Sequence, residues 1–163
     1  MNQRGDTARQ AALRDAVIQT STRENTYVKK IHSILSPRTK LLDIGCGTGH
    51  IINELARRHN DILFTGFDIS RAMLELTAAN NVELPNVFCV AGDGVHLPFS
   101  DSSFDTVITR LAEYATKEAF RVVRQDGYFL EYGLGPDADK EIKEFFSDRI
   151  ERENFFFPKD LRE

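Results

Sequence analysis

Cysteine is scarce in this chain. Of 163 residues only two are cysteines, Cys46 inside a glycine cluster and Cys89 in an apolar run. Two thiols so placed cannot make a disulfide framework, and they lack metal-ligand spacing, so no metal is expected. Reduced thiols in a cytoplasmic protein is the plain reading. Basic charge is not in excess either. Lys and Arg number 21 against 25 Asp and Glu, a formal net charge of -4, with a pI near 5.6. There is thus no global basic footprint to draw the chain to phosphate backbones or anionic membranes. Long apolar runs are missing as well: no uninterrupted stretch approaches the ~20 residues that cross a bilayer. The N-terminal "MNQRGDTARQAALRDAV" carries charges throughout and no apolar core of a signal peptide. A soluble, unexported chain with no membrane association is expected. Internal repeats and low-complexity segments are absent too.

What is present is enough apolar residue, 41%, for one ordinary domain with a proper core. Residues 1–20 are polar and alanine-rich, with a weak helical stripe through Leu13, Ala16 and Val17. From Ser21, "STRE" reads as a capping box in which Ser21 and Glu24 satisfy each other's amides. Tyr27, Val28, Ile31, Ile34 and Leu35 follow at helical spacing, and the helix stops before Pro37. Residues 1–36 are accordingly read as an N-terminal helical cap. Residues 37–163 are read as the main domain, carrying a C-terminal helix from about 137.

Beyond Pro37, strand-length apolar runs alternate with helical patterns. The strand candidates are "KLLDI" (40–44), "ILFTGF" (62–67), "NVFCVA" (86–91), "FDTVIT" (104–109) and "GYFLEYG" (127–133), rich in β-branched and aromatic residues. Between them, "TGHIINELARRHN", "SRAMLELTAANN" and "AEYATKEAFRVVRQ" each show an apolar face at i, i+3 and i+4. The alternation predicts an α/β fold, a Rossmann-like open parallel sheet with helices on both faces.

Three glycines fall within five positions behind the first strand, Gly45, Gly47 and Gly49. Glycine permits the positive φ angles of a sharp strand-to-helix turn, and the bare backbone lets a ligand lie close. The following helix N-terminus points amides toward whatever binds there. A glycine-rich turn alone is weak evidence, because tight turns need glycine anyway. The spacing narrows it: a dinucleotide fingerprint from Gly45 would need a third glycine where His50 stands, and no Gly-Lys-Ser/Thr ending makes a P-loop. The pattern that fits is acid-x-G-x-G-x-G, beginning at Asp43.

With these residues the chain resembles the class I S-adenosylmethionine-dependent methyltransferases, over about Leu41 to Gly133. "LLDIGCGTG" resembles that family's first motif, "FTGFDIS" its acidic second-strand loop, and "AGDGVHLPFSDSSFDTVI" its third and fourth blocks. The resemblance implies that S-adenosyl-L-methionine is the cofactor and S-adenosyl-L-homocysteine the product. It implies that Gly45, Cys46, Gly47 and Gly49 line the methionine moiety, with Asp43 helping to fix its ammonium group. Asp68 would accept both ribose hydroxyls, which suits a carboxylate's two acceptor oxygens; the plainer reading is an acid complementing the dipole of the next helix. Ile69 would pack on the adenine, Asp93 would accept from its amino group, and the Gly94 amide would donate to the ring, although "GDG" alone is just a turn. Cys46 itself is read as packing, since nothing nearby argues for a reactive thiolate.

A sulfonium is already an activated methyl donor, so transfer is an in-line displacement served by positioning and exclusion of water. No catalytic residue is assigned. Among the histidines, His32 and His59 read as exposed helical residues, whereas His50 and His96 lie nearer the cofactor and are the first candidates for a base. The acceptor pocket is expected from Tyr27, Arg110, Glu113, Tyr114, Glu131 and Tyr132, each with a bland alternative as surface charge or half-buried aromatic.

Two departures from the family pattern stand out. "ITRLAEYATKEAF" passes almost directly from the fourth strand into its helix, where the family carries a longer segment. The chain also ends before the family's C-terminal antiparallel hairpin could form. That leaves the fifth-strand edge and the apolar "FFF" at 155–157 to be covered, which a homo-oligomer would do. The leading expectation is a methyltransferase acting on a small molecule, a quinone-like acceptor for example, with nucleic acid or protein acceptors left open. The alternative is a catalytically incomplete S-adenosylmethionine-binding module, truncated or needing a partner chain. A nicotinamide-dependent oxidoreductase is disfavoured by His50.

Overall fold

The computed structural model describes the backbone of residues 22–133 and the side chains of 26–133, all within the compact unit Met1–Gly133. The capping box at Ser21, the stripe through residues 13–17, the C-terminal helix from about 137 and the phenylalanines at 155–157 lie outside the described residues.

The elements are α1 (Thr22–Ile34), β1 (Lys40–Ile44), α2 (His50–Arg58), β2 (Leu63–Asp68), α3 (Arg71–Asn80), β3 (Val87–Ala91), β4 (Phe104–Arg110), α4 (Thr116–Val122) and β5 (Val123–Tyr132). All strand pairs are parallel, in the order β3-β2-β1-β4-β5. The chain therefore leaves β1 in one direction, returns, and leaves it in the other. The end of β1 is the switch point, where open α/β sheets bind ligands.

Strand alternation sorts the apolar residues into two cores, one on each face. On one face Leu41, Phe64, Ile108 and Leu130 meet α1 through Tyr27, Val28 and Ile31, α2 through Ile51, Ile52 and Leu55, and α3 through Leu74. On the other, Leu42, Ile44, Phe67, Val107 and Phe129 meet α4 through Ala119 and Val122, together with Leu97 and Phe99 of the segment between β3 and β4. This second core is partly aromatic, with edge-on contacts of Phe99 to Phe67 and to Phe104. Because no helix lies between β3 and β4, these loop residues stand in for one. An open groove of about 420 Å³ remains beside them, lined by Leu63, Thr65, Phe88 and Phe99 among others.

The sequence pattern and the structure part company at α4. Helical periodicity runs through 112–125, yet the helix occupies only Thr116–Val122. Val123 pairs with Phe104, and the ladder then shifts register before Tyr128 pairs with Thr106. The offset is absorbed at Asp126, φ 62, and at Gly127, where a Cβ would sit 2.7 Å from the Asp105 carbonyl. Five residues, 111–115, separate β4 from α4. Among the described residues β3 and β5 are the edges of the sheet, and no helix is long and apolar enough to cross a membrane.

His32 and His59 are not the solvated helical residues that sequence suggests. Both are half-buried, their rings 5.1 Å apart, with His32 Nδ1 and His59 Nε2 at 2.9 Å, so they tie α1 to the end of α2. Such a bond needs one nitrogen to donate and one to accept, and a doubly charged pair cannot make it. Burial, then the neighbouring His59 and Arg58, lower the His32 pKa from 6.5, while Glu54 acts the other way. A base with a depressed folded pKa binds fewer protons folded than unfolded. Its contribution to stability is whole above about 6.5 and is lost as pH falls below that toward the folded value. Urea midpoints should therefore drop between about pH 7.5 and about pH 5.5, and drop less steeply in His32→Gln. Parallel declines in the two proteins would show that the pair carries no such linkage.

Candidate cofactor site

The glycine loop leaves β1 with Gly45, Gly47 and Gly49 all at left-handed φ, 75, 58 and 73, which L side chains adopt only with strain. Beyond that shared need the three have different surroundings. A Cβ on Gly45 would run into Ala112 after β4, and one on Gly49 would sit 2.5 Å from the Thr77 methyl of α3. On Gly47 it would meet nothing within 4 Å. Gly45 and Gly49 thus let protein approach the loop, while Gly47 faces open space where a ligand can lie.

The loop's own amides are largely committed. Gly45 and Cys46 both donate to the Phe67 carbonyl, at 2.7 and 3.1 Å, and Gly49 donates to the Cys46 carbonyl at 3.0 Å. Gly47 donates to Asp68 Oδ2 at 2.9 Å. These four amides close the turn and bind it to β2.

Asp68 ends β2 and is half-buried. Its Oδ2 accepts from Gly47, and its Oδ1 accepts from the Ser70 amide at 2.8 Å. Ser70 in turn caps α3, its hydroxyl accepting from Met73. Two amides hold the carboxylate, and each oxygen keeps a second lone pair. The arrangement fits a pair of ribose hydroxyls. Ile69 beside it is 73% exposed, an apolar platform at the strand end.

Register brings the remaining expected residues to the same edge. Asp68 pairs with Ala91 of β3, and Gly92 donates to the Asp68 carbonyl. Asp93 follows, exposed, with Oδ1 accepting from Val95 at 3.0 Å. Gly94 lies against the chain after β4: its Cβ position is 2.5 Å from the Glu113 carbonyl, and its own carbonyl accepts from Ala115. Asp43 is buried within β1 at 3% exposure. Cys46 is buried too, packed against Gly66 and Thr77. Burial, then Asp43, push its thiol well above the usual range, so it is an inert packing group whose backbone alone borders the site.

The expected acceptor residues divide. Tyr114 and Glu131 come together: burial, then the neighbouring Glu131, raise the Tyr114 pKa above its ordinary value, while Thr116 acts the other way. Tyr27 is instead a structural anchor. It is buried, its ring lies 5.5 Å from Tyr132, and its hydroxyl reaches the Thr109 and Leu130 carbonyls at 3.0 and 3.3 Å. His96 is exposed and His50 half-buried at the start of α2.

Sequence reading missed two groups. Arg121 donates to the Phe99 and Leu97 carbonyls and to Asp101 and Glu118, while Glu118 accepts from the Leu97 amide. They pin the segment after Asp93 to α4, and Arg121 first, then the Leu97 amide, hold the Glu118 carboxyl down at about 2. The other group is Thr77 and Asn80 on α3 with Asn81 just after it, which face the glycine loop. Thr77 had a signal: it is a polar residue in the buried stripe of Met73 and Leu74.

A parallel sheet with a glycine loop at its switch point and acids at the two neighbouring strand ends defines a Rossmann-like protein built to hold a nucleoside cofactor. Comparison with known proteins narrows the class. The methyltransferase domain family matches residues 41–127, and the chain belongs to the class I S-adenosylmethionine-dependent methyltransferases. It is 36% identical over 116 residues to malonyl-(acyl-carrier protein) O-methyltransferase of Dechloromonas aromatica, covering 68% of this chain and 42% of that protein. It is 34% identical over 131 residues to phthiotriol/phenolphthiotriol dimycocerosates methyltransferase 1 of Mycobacterium ulcerans, covering 76% and 47%. Among solved structures, the (4+2)-cyclase SpnF aligns with a TM-score of 0.58 at 26% identity, over 64% of this chain and 42% of that one. The chain thus spans less than half the length of these relatives.

The glycines should separate on substitution. Gly49→Ala meets Thr77 as well as the φ penalty and should lose more than the ~1–2 kcal/mol of left-handed strain alone. Gly47→Ala should lose only that strain. Denaturant titration of both checks the order, and equal losses would contradict the division.

Proposed function

We propose that this chain binds S-adenosylmethionine across the C-terminal edge of β1, β2 and β3 and is the catalytic part of a methyltransferase. The observation that carries the reading is the Asp68 carboxylate, fixed by the Gly47 and Ser70 amides beside the open face of Gly47. In this reading Asp68 holds the ribose, Ile69 and Asp93 with Gly94 hold the adenine, and Gly45, Cys46, Gly47 and Gly49 border the methionine moiety with Asp43 behind them. When bound, the cofactor supplies a methyl group on a sulfonium for in-line displacement by a nucleophile. The protein's own work is then to fix the donor, admit the acceptor opposite it and keep water out.

The acceptor we infer is an oxygen nucleophile on a small, apolar molecule. Support comes from the two relatives, one named a malonyl-(acyl-carrier protein) O-methyltransferase and one a phthiotriol/phenolphthiotriol dimycocerosates methyltransferase, and from exposed Leu111 just after β4. Tyr114 with Glu131 is the polar pair best placed to orient an acceptor hydroxyl or carboxylate beside that strand end. The helix α1 serves as a cap: Tyr27 ties it to the carbonyls of Thr109 and Leu130 near the ends of β4 and β5. Among the described residues the cofactor domain is 37–133.

A relative in shape is titled a cyclase, and fold does not imply reaction, so transfer itself is the test. Incubated with methyl-labelled S-adenosylmethionine, the chain should move label to a malonyl thioester or a hydroxylated long-chain lipid. Asp68→Ala should cut kcat/KM at least about tenfold, chiefly through the cofactor KM. No transfer to either acceptor class, by a chain that binds the cofactor, would overturn the catalytic part of the reading.

A further inference from the structure

Thr77 has no exposed surface. Its hydroxyl lies 2.8 Å from the Gly47 carbonyl and 3.0 Å from the Met73 carbonyl, and 3.8 Å from the Cys46 sulfur. One hydroxyl proton cannot serve both carbonyls fully. The bond to Met73 is the back-bond any helical threonine can make; the bond to Gly47 crosses from α3 to the loop. Because the buried Cys46 thiol stays protonated, its S–H can donate to the Thr77 oxygen, leaving the hydroxyl proton for a carbonyl. One turn on, Asn80 donates to the Thr48 carbonyl at 2.9 Å.

Gly47 is the loop glycine that faces open space, and it is held at both ends. Its N–H goes to Asp68 and its C=O to Thr77. The peptide planes on its two sides are thereby fixed, and with them the left-handed φ that a mobile turn would not keep. The close approach of the Thr77 methyl to Gly49 sets how near α3 can come.

Resting on the cofactor reading above, we propose that Thr77 is a positioning residue: its hydroxyl pre-forms the Gly47 surface on which the cofactor lies, without touching the cofactor. A merely structural Thr77, satisfied by Met73, predicts that affinity follows stability. The positioning role predicts that they separate. In the full chain Thr77→Val keeps the shape and removes the hydroxyl, and should weaken S-adenosylhomocysteine binding about five- to tenfold by calorimetry. Thr77→Ser keeps the hydroxyl and loses the methyl. It should bind within about twofold of the unaltered chain while melting at a lower temperature. Thr77→Ala, which crowds nothing, must show the affinity loss of Thr77→Val. In the unliganded protein the Gly47 amide resonance should move in the Val and Ala variants and stay in the Ser variant. Unchanged affinity in Thr77→Val and Thr77→Ala overturns the proposal with the cofactor reading intact. Failure of the unaltered, folded chain to bind S-adenosylhomocysteine overturns both.

Discussion

The hydrogen bond from the Gly47 amide to the Asp68 carboxylate ties the turn after β1 to the end of β2. It is a charge-assisted bond, stronger than a neutral one, and it joins the loop glycine whose Cβ position meets nothing within 4 Å to the acid that ends β2. Without it the carboxylate would be held by Ser70 alone and Gly47 by its carbonyl alone. Beside it, Gly45 and Cys46 share one acceptor, the Phe67 carbonyl. The loop is therefore knit to β2 before any ligand arrives, and a pre-formed site loses less entropy on binding.

The rest of the fold keeps this edge in place. β1 is central, with β2 and β4 paired on either side, and Leu41, Leu42 and Ile44 are all at or below 1% exposure. A strand buried on both faces cannot shift its register cheaply. The loop bearing Asp93 has no helix of its own, and Arg121 with Glu118 fastens it instead, while Phe99 fills the core beneath. These are the two ways the chain supports a site on segments that carry no regular structure: polar clamps from a neighbouring helix, and a buried aromatic at the loop's root.

What could be read from the sequence was local. "KLLDI" is an apolar run behind Pro37 and before glycines, and β1 matches it residue for residue. The glycine turn is legible because three glycines directly behind a strand are near neighbours in sequence, whereas Asp68 and Asp93 lie well down the chain and are singled out by the family resemblance. The division of labour among the glycines is not legible, because it depends on Ala112 and Thr77, far along the chain. Likewise the pairing of His32 with His59 spans 27 residues, and each histidine alone looks like a helical surface residue. The α4 boundary failed for a different reason: apolar periodicity through Val122 and Val123 suits a helix, and only the pairing of Val123 with Phe104 turns the second valine into a strand.

The most direct test of the account is a crystal structure of the chain with S-adenosylhomocysteine. It should show both ribose hydroxyls within hydrogen-bond distance of the Asp68 carboxylate and the amino-acid moiety against Gly47. The nucleoside found elsewhere, for example in the groove beside Leu63 and Phe88, with the glycine loop left uncovered, would contradict it.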